Sequence, residues 1–548
     1  MFLKLLASLA GSAVLFGLYQ ILKLVYQVFN SPVRHLPGPK PTHFFFGNFR
    51  EIWKAENSVM HEQWVQEYGP TIKYQGLFGI TRLYTVDPKA LNHFLSNTHI
   101  YQKGERERKL LARILGPGIL IAEGDVHRQQ RKIMNPAFGA PQIRELTEVF
   151  VKKSIELRDI WASQIPQSGT ARIDVLQWLT KVTLDIIGLA GFNYNFDSLS
   201  STKQSELAEA FHTVFQSGTA LGPIRILQMW LPIFRLIRTK EDRAMERSMA
   251  VMRRIGLQLL QDSKNEMVQN GTEKGRSRDL LSLLVRANTA KDIPASQRLS
   301  DEDVLAQVPT FLVAGHETTV CRIFFNLFLR STRSRISSSA VTWALFALTQ
   351  NVAAQTRLRN ELLSVPTDEP TMDELNALSY LDCVVKETMR IHAPVPSSMR
   401  TAIQDDIVPL SQSFTDIHGV VHDTLKITKG QTIMIPILAM NRDKAIWGPD
   451  AMEFVPERWE SDIKNALPGV WGHMLTFLGG PRACIGYRFS LVEMKALLFT
   501  LVRAFEFELA VPVEDMGKKS AVVQRPLLKS QPEAGNQMPL LIKPYVQS

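Results

Sequence analysis

Apolar residues recur at helical spacing through long stretches of the chain, at 140–164, 173–189, 239–268 and 484–504, which predicts amphipathic helices there. Shorter runs at 71–74, 81–86, 432–437 and 505–511 read as strands. There is no internal repeat and no low-complexity linker. Residues 51–548 are therefore expected to form one large, mainly α domain with small β-sheets. Ahead of it, residues 5–29 are almost wholly apolar, broken by Gln20, Lys23, Gln27 and small residues. A bilayer core needs about 20 such residues as helix. The run is long, becomes aromatic towards its end and is followed by Arg34, His35 and Lys40, which favours a retained membrane anchor over 1–30 rather than a cleaved signal. Those basic residues should stay cytosolic. The sequence Leu36-Pro37-Gly38-Pro39-Lys40-Pro41 stiffens a Pro-rich hinge over 31–50.

Charge and cysteine content narrow the picture. The chain holds 63 basic and 53 acidic residues, a net +10, and the excess is scattered rather than gathered into a tract. Nucleic acid is thereby excluded as an expected partner, while an anionic membrane or an acidic protein fits. Three cysteines, Cys321, Cys383 and Cys484, cannot build a disulfide framework and favour a reducing compartment. No Gly-rich dinucleotide fingerprint or phosphate-cradling loop is present, so electrons from a nicotinamide would have to arrive through another protein.

The most specific stretch is Phe477-Leu478-Gly479-Gly480-Pro481-Arg482-Ala483-Cys484-Ile485-Gly486, running into a helical pattern. A cysteine at a helix start beside an arginine has its thiolate favoured by the dipole and the cation. Glycines let backbone approach a flat ligand. A lone cysteine there is more often structural, but the whole stretch matches every defined position of the signature Phe-x-x-Gly-x-Arg-x-Cys-x-Gly and so resembles the cytochrome P450 family. The resemblance implies the cytochrome P450 fold and haem b, with Cys484 as axial ligand of the iron and Phe477, Arg482 and Gly486 around the cofactor. Thiolate ligation of haem iron favours oxygen–oxygen bond cleavage.

Further stretches resemble the family in the expected order, from the hinge to the C-terminal strands. Glu387 and Arg390 stand one turn apart and can pair. With Arg458 in Phe454-Val455-Pro456-Glu457-Arg458-Trp459 they resemble the family's glutamate–arginine–arginine lock, a structural brace for the Cys484 loop. Ala314-Gly315-His316-Glu317-Thr318-Thr319 resembles the oxygen-activation motif, in a helix expected to begin near Ser300-Asp301-Glu302-Asp303. Gly315 would loosen the helix and open a groove beside Ala314; Thr318 would hydrogen-bond oxygen and water, and Glu317 would feed protons. A zinc-protease reading of His316-Glu317 fails because Val320 stands where a second histidine is needed. His418 and His422 lie in a turn-like context unsuited to a metal. By family position, His127, Arg131, Arg400 and Arg482 would hold the haem carboxylates. The family usually has tryptophan where this chain has His127, and histidine keeps one ring donor.

Residues 320–337 depart from the pattern. This stretch carries Phe324, Phe325, Phe328, Arg322, Arg330, Arg333 and Arg335 and no acidic residue, between Thr319 and the good helix beginning Ser338-Ser339-Ala340. An insertion of about 18 residues equals five turns and would lengthen a helix by roughly 27 Å, for which a single domain has no room. We read it as an untranslated intron carried into the sequence, with Val320-Cys321 as the translated splice donor. The alternative is a genuine bulging loop.

The resemblance implies a monooxygenase that oxidises an apolar small molecule, such as a terpenoid or other secondary metabolite, using O2 and NADPH electrons delivered by NADPH-cytochrome P450 reductase, with cytochrome b5 as a second donor. Residues 223–238 are apolar with basic flanks, suited to dipping into lipid or to covering the substrate pocket. The endoplasmic reticulum is the expected membrane, spanned once, with the catalytic domain cytosolic. Two rivals stand. One is a haem-thiolate isomerase or dehydratase needing no reductase, against which the Glu317-Thr318 pair argues. The other is a haem protein made inactive by the insertion after Thr319.

Overall fold

Ser300 starts the central helical segment by a reciprocal capping box: its hydroxyl accepts from the Asp303 amide, and the Asp303 carboxylate accepts from the Ser300 amide. The computed structural model describes residues 29–201, 205–219, 236–270, 278–289, 298–317, 339–463, 467–520 and 523–546, with isolated positions before residue 27 and at Ile224, Gln228, Phe234 and Pro294. The helices that frame the site are, in chain order, α1 (Gly124–Met134), α2 (Ala140–Ser163), α3 (Val175–Phe192), α4 (Lys240–Asn270), α5 (Gln307–Glu317), α6 (Ser339–Gln350), α7 (Ser379–Ile391) and α8 (Tyr487–Ala504). The core runs through α2, α3, α6 and α8, where Trp161, Trp343, Phe150 and Phe499 are buried. α8 packs on α2, α5 on α3, and α6 on α3 and α7.

The sheets are small. β1 (Thr71–Gln75), β2 (Thr81–Thr85), β3 (Tyr101–Gln102), β5 (Ser398–Ala402) and β8 (Thr432–Ile435) form one sheet in the order β1-β2-β8-β5-β3, with β2 and β8 parallel. β4 (Ala171–Asp174), β12 (Pro539–Pro544) and β9 (Phe505–Leu509) form a second; β6 (Asp406–Thr415) pairs with β7 (Val421–Ile427), and β10 (Met516–Ser520) with β11 (Gln524–Leu528). The mainly helical expectation holds, and the strands expected near 71, 81, 432 and 505 are present. The helix expected over 173–189 begins instead at Val175. Ile173 pairs with Leu540, and Asp174 accepts from the Met538 amide at 2.9 Å, which ties both residues into β4.

Among the described residues, α3 is the one helix long and apolar enough to cross a membrane, and it is a core helix, mostly buried. The anchor expected over 1–30 is described only at isolated positions. These are helical, with Leu15, Tyr19, Leu22 and Tyr26 exposed, and a span there lies outside the described residues. Thr318, the stretch 320–337 and most of 223–238 also lie outside them.

Candidate functional site

The loop before α8 is closed by its own backbone. The Cys484 amide donates to the Phe477 carbonyl at 2.9 Å, and the Leu478 amide to the Leu475 carbonyl at 2.8 Å. Leu478 sits in the left-handed region at φ 56°, rare for a branched side chain. Gly480, at φ 68°, lies where a Cβ would come within 2.4 Å of the Leu95 carbonyl oxygen, and a Cβ at Gly479 would fall 1.6 Å from that of Pro468. These two glycines thus let the loop's backbone pass close to the carbonyls of Leu95 and Pro468. Phe477 is buried with its ring 5.7 Å from Trp471 and 5.9 Å from Tyr487. The loop continues through Gly486, so the helix expected from 484 begins at Tyr487.

Burial pushes the Cys484 thiol up, while a hydrogen bond from the Gly486 amide and the Arg131 guanidinium act the other way. The cation at the sulfur is Arg131, which donates to the Ala483 carbonyl and, at 3.0 Å, to Asn135. It is not the chain neighbour Arg482, whose guanidinium turns to the Glu123 carboxylate. Sequence adjacency misleads here because the Pro481 turn directs that side chain elsewhere. A half-buried thiolate with one cation and one amide donor still lacks compensation, and iron would supply it.

Arg400 and Arg482 share their surroundings with Lys103, Arg108, Glu107 and Glu123. Lys103 feels Arg400, Arg482 and Arg108, and Glu107 feels Arg400 and Lys103. The Glu123 carboxylate also accepts from the Lys103 amide at 3.0 Å. Burial pushes Arg400 and Arg482 down to about 10. Arg108 Nε is buried without a hydrogen-bond partner among the described residues. More cations than carboxylates are thus gathered in this part-buried cluster, which suits the two carboxylates of a haem. His127 is buried against Lys103 and Arg131 and held down to about 4, hence neutral. Arg131 itself stays with the cysteine loop. Sequence reasoning missed Lys103 and Arg108, because in Lys103-Gly104-Glu105-Arg106-Glu107-Arg108 they look like one more solvated, mixed-charge helix start.

Glu387 and Arg390 are wholly buried on α7. Arg390 Nε and Nη2 donate to the two Glu387 oxygens at 2.9 and 2.8 Å. Glu387 also accepts from the Val455 amide and Trp459 Nε1, both at 2.9 Å, and Arg458 Nε lies 3.5 Å from it. Arg458 is shared with Asp450 at 2.7 Å. The three residues expected to form a lock are therefore together.

Ala314 and Gly315 lie on α5, with Glu317 its last residue. A Cβ at Gly315 would meet Ile187 Cδ1 at 2.5 Å, so this glycine admits α3 against α5. Beside them, Gly118 presses on the same helix: its Cβ would fall 2.6 Å from Thr310 Oγ1, and the Ile119 amide donates to Gln307 Oε1 at 2.9 Å. Ile119 and Ile121 are buried there, giving the helix apolar neighbours. His418 meets His35 at 3.0 Å and His422 meets Asp416 at 3.0 Å. Among the described residues no group of three or more His, Cys, Asp or Glu is placed to hold a metal ion.

Comparison with known proteins agrees with this arrangement. The Cytochrome P450 family model matches residues 37–332 and 336–530. The chain is 52% identical to Cytochrome P450 monooxygenase 205 of Postia placenta, over 99% of this chain and 98% of that one. Cytochrome P450 monooxygenase 128 of the same fungus is 50% identical, over 98% of each chain. Cytochrome P450 monooxygenase claO of Ampulloclitocybe clavipes is 35% identical over 93% of each. With its cysteine loop, its buried lock and these matches along nearly its whole length, the chain belongs to the cytochrome P450 family and is a haem-thiolate monooxygenase of class EC 1.14.

Proposed function

We propose that this monooxygenase oxidises an apolar small molecule, a terpenoid or other secondary metabolite, at the endoplasmic reticulum membrane. One oxygen atom of O2 enters a C–H bond of the substrate and the other leaves as water, with two electrons from NADPH passed on by NADPH-cytochrome P450 reductase, assisted by cytochrome b5. The observation that carries the reading is the half-buried Cys484, short of compensating charge and framed by a cluster of cations that outnumber their carboxylates and suit those of a haem. Bound haem would supply the oxygen chemistry; Cys484 would hold its iron, and Lys103, Arg108, Arg400, Arg482 and neutral His127 would hold its carboxylates.

The remaining work would belong to residues at and after the end of the central helix. Thr318 holds a water by its hydroxyl, and Glu317 returns protons to that water from solvent. Gly118, Ile119 and Ile121 exclude bulk water from the helix flank. The apolar run over 5–29 would anchor the chain, and the apolar, basic-flanked composition of 223–238 suits contact with lipid or a cover for the substrate, so an apolar substrate would enter from the membrane.

The test is turnover in membranes holding the full chain and the reductase, with isotopically labelled O2 and a panel of apolar compounds. One labelled oxygen per product, dependent on both NADPH and reductase, is the expected result. Product formed without a reductase would refute the reading in favour of an isomerase or dehydratase.

A further inference from the structure

Asn441 is wholly buried between the lock and the cysteine loop, and its backbone carbonyl and two side-chain polar atoms each reach one of the two. Its carbonyl accepts from Arg390 Nη1 at 2.9 Å. Its side-chain oxygen accepts from the Leu475 amide at 2.9 Å, and its side-chain nitrogen donates to Thr476 Oγ1 at 2.7 Å. Thr476 Oγ1 in turn donates to the Met389 carbonyl at 2.7 Å, beside Arg390 on α7. Leu475 and Thr476 open the turn whose fourth residue is Leu478, the branched residue in the left-handed region. The carbonyl between them and Leu478, that of Phe477, holds the Cys484 amide.

We propose that Asn441 and Thr476 are positioning residues that tie the Glu387–Arg390 pair to the place of the Cys484 sulfur. The proposal rests on the haem-thiolate reading of the site. A leucine at positive φ persists only where its surroundings over-determine the turn. Here the over-determination comes from the start of the turn, where Asn441 and Thr476 fix one amide and one hydroxyl. Releasing them lets Leu478 return to negative φ, which displaces the Phe477 carbonyl and with it the Cys484 amide. The sulfur then loses its fixed approach to the iron, and a neutral, displaced thiol replaces the thiolate ligand.

The experiment compares the full-length wild type, Asn441→Asp, Thr476→Val, Thr476→Ser and the double variant N441D/L478G. The readouts are the carbon monoxide difference spectrum of the reduced protein and its thermal melt. Asn441→Asp keeps the acceptor for Leu475 and loses the donor to Thr476; Thr476→Val removes the hydroxyl at nearly constant shape. Both should shift the ratio of long-wavelength to short-wavelength Soret band about tenfold towards the neutral-ligand form, at temperatures where the melt shows an intact fold. Thr476→Ser should keep the wild-type ratio. Leu478→Gly, which accepts positive φ without strain, should restore it in N441D. A merely structural asparagine would lower the melt without moving the ratio and without rescue by L478G, and that result overturns the proposal. A wild type lacking the long-wavelength band removes the cofactor reading and the proposal together; a wild-type band with both N441D and T476V unchanged overturns the relay alone.

Discussion

Glu387 and Arg390 face each other across one turn of α7 with both side chains at 0% exposure, and every remaining polar atom of the pair is taken by the segment that follows. Such a pair is not a large net source of stability, because two charges were removed from water to make it. Its consequence is asymmetric: removing one partner strands the other. Arg390→Met should cost about 3–5 kcal/mol and release Asn441, Ala451 and Glu453 carbonyls together. Urea unfolding and haem content of the purified variant check this, and a variant as stable as wild type would show that the pair is dispensable.

Gly315 was expected from sequence to loosen a helix over the cofactor, and the structure gives it another duty, contact with Ile187. Gly315→Ala should therefore destabilise by about 1–3 kcal/mol through overpacking. In an Ile187→Ala background, itself less stable for loss of a buried side chain, that added penalty should largely vanish, since Ile187 supplies the clashing atoms. A double-mutant cycle by urea unfolding measures the coupling. Strict additivity would place the glycine's role elsewhere.

Arg108 is the sharpest test of the carboxylate site, because its buried Nε has no hydrogen-bond partner among the described residues. Arg108→Leu should release haem to an acceptor protein about tenfold faster while leaving the unfolding of the haem-free chain no less cooperative. Equal rates of haem transfer would remove Arg108 from the site.

His61 gives a pH dependence with a definite sign. It is packed among Trp64, Tyr74 and Tyr84, with the Tyr84 ring 4.7 Å away, and burial holds it down to about 3. The unfolded chain takes up this proton below its ordinary value of 6.5, whereas the folded chain does not. Its contribution is therefore full above pH 6.5 and is lost as pH falls from 6.5 towards 3. Wild type should lose up to about 1.4 kcal/mol per pH unit on this account below pH 6, and His61→Phe should flatten that slope. His127 and His392, also held down by burial, add slopes of the same sign that this variant leaves in place.

Much of the site was legible because its chemistry is local in sequence. The cysteine loop, the Glu387–Arg390 turn and the Ser300 cap each use neighbours a few residues apart, so pattern and spacing reveal them. What was hidden depends on long-range contact. Asn441 reads as an ordinary polar residue, and only the fold brings it to Leu475 and Thr476. Arg131 stands far from Cys484 in the chain yet supplies the cation that Arg482 was expected to provide. The hairpin β6–β7 escaped because it is solvated over much of its length and carries a register shift between Pro409 and Phe414, so its alternation is broken. At Gly479 and Gly480 the close approach of the Pro468 and Leu95 carbonyls, invisible in the sequence, leaves no room for a Cβ.

Residues 320–337 carry a separate expectation. Read as an intron, their codons should be missing from most mature messages, and sequencing of the transcript decides it. Messages that retain them would make the stretch a true insertion between α5 and α6.

The most direct measurement is the carbon monoxide difference spectrum of the reduced full-length chain beside Cys484→Ser. A long-wavelength Soret band in the wild type, absent from the serine variant, is the expected result and marks Cys484 as the thiolate ligand. A wild type with no haem, or with a band of the neutral-ligand form alone, would contradict the haem-thiolate assignment of this site.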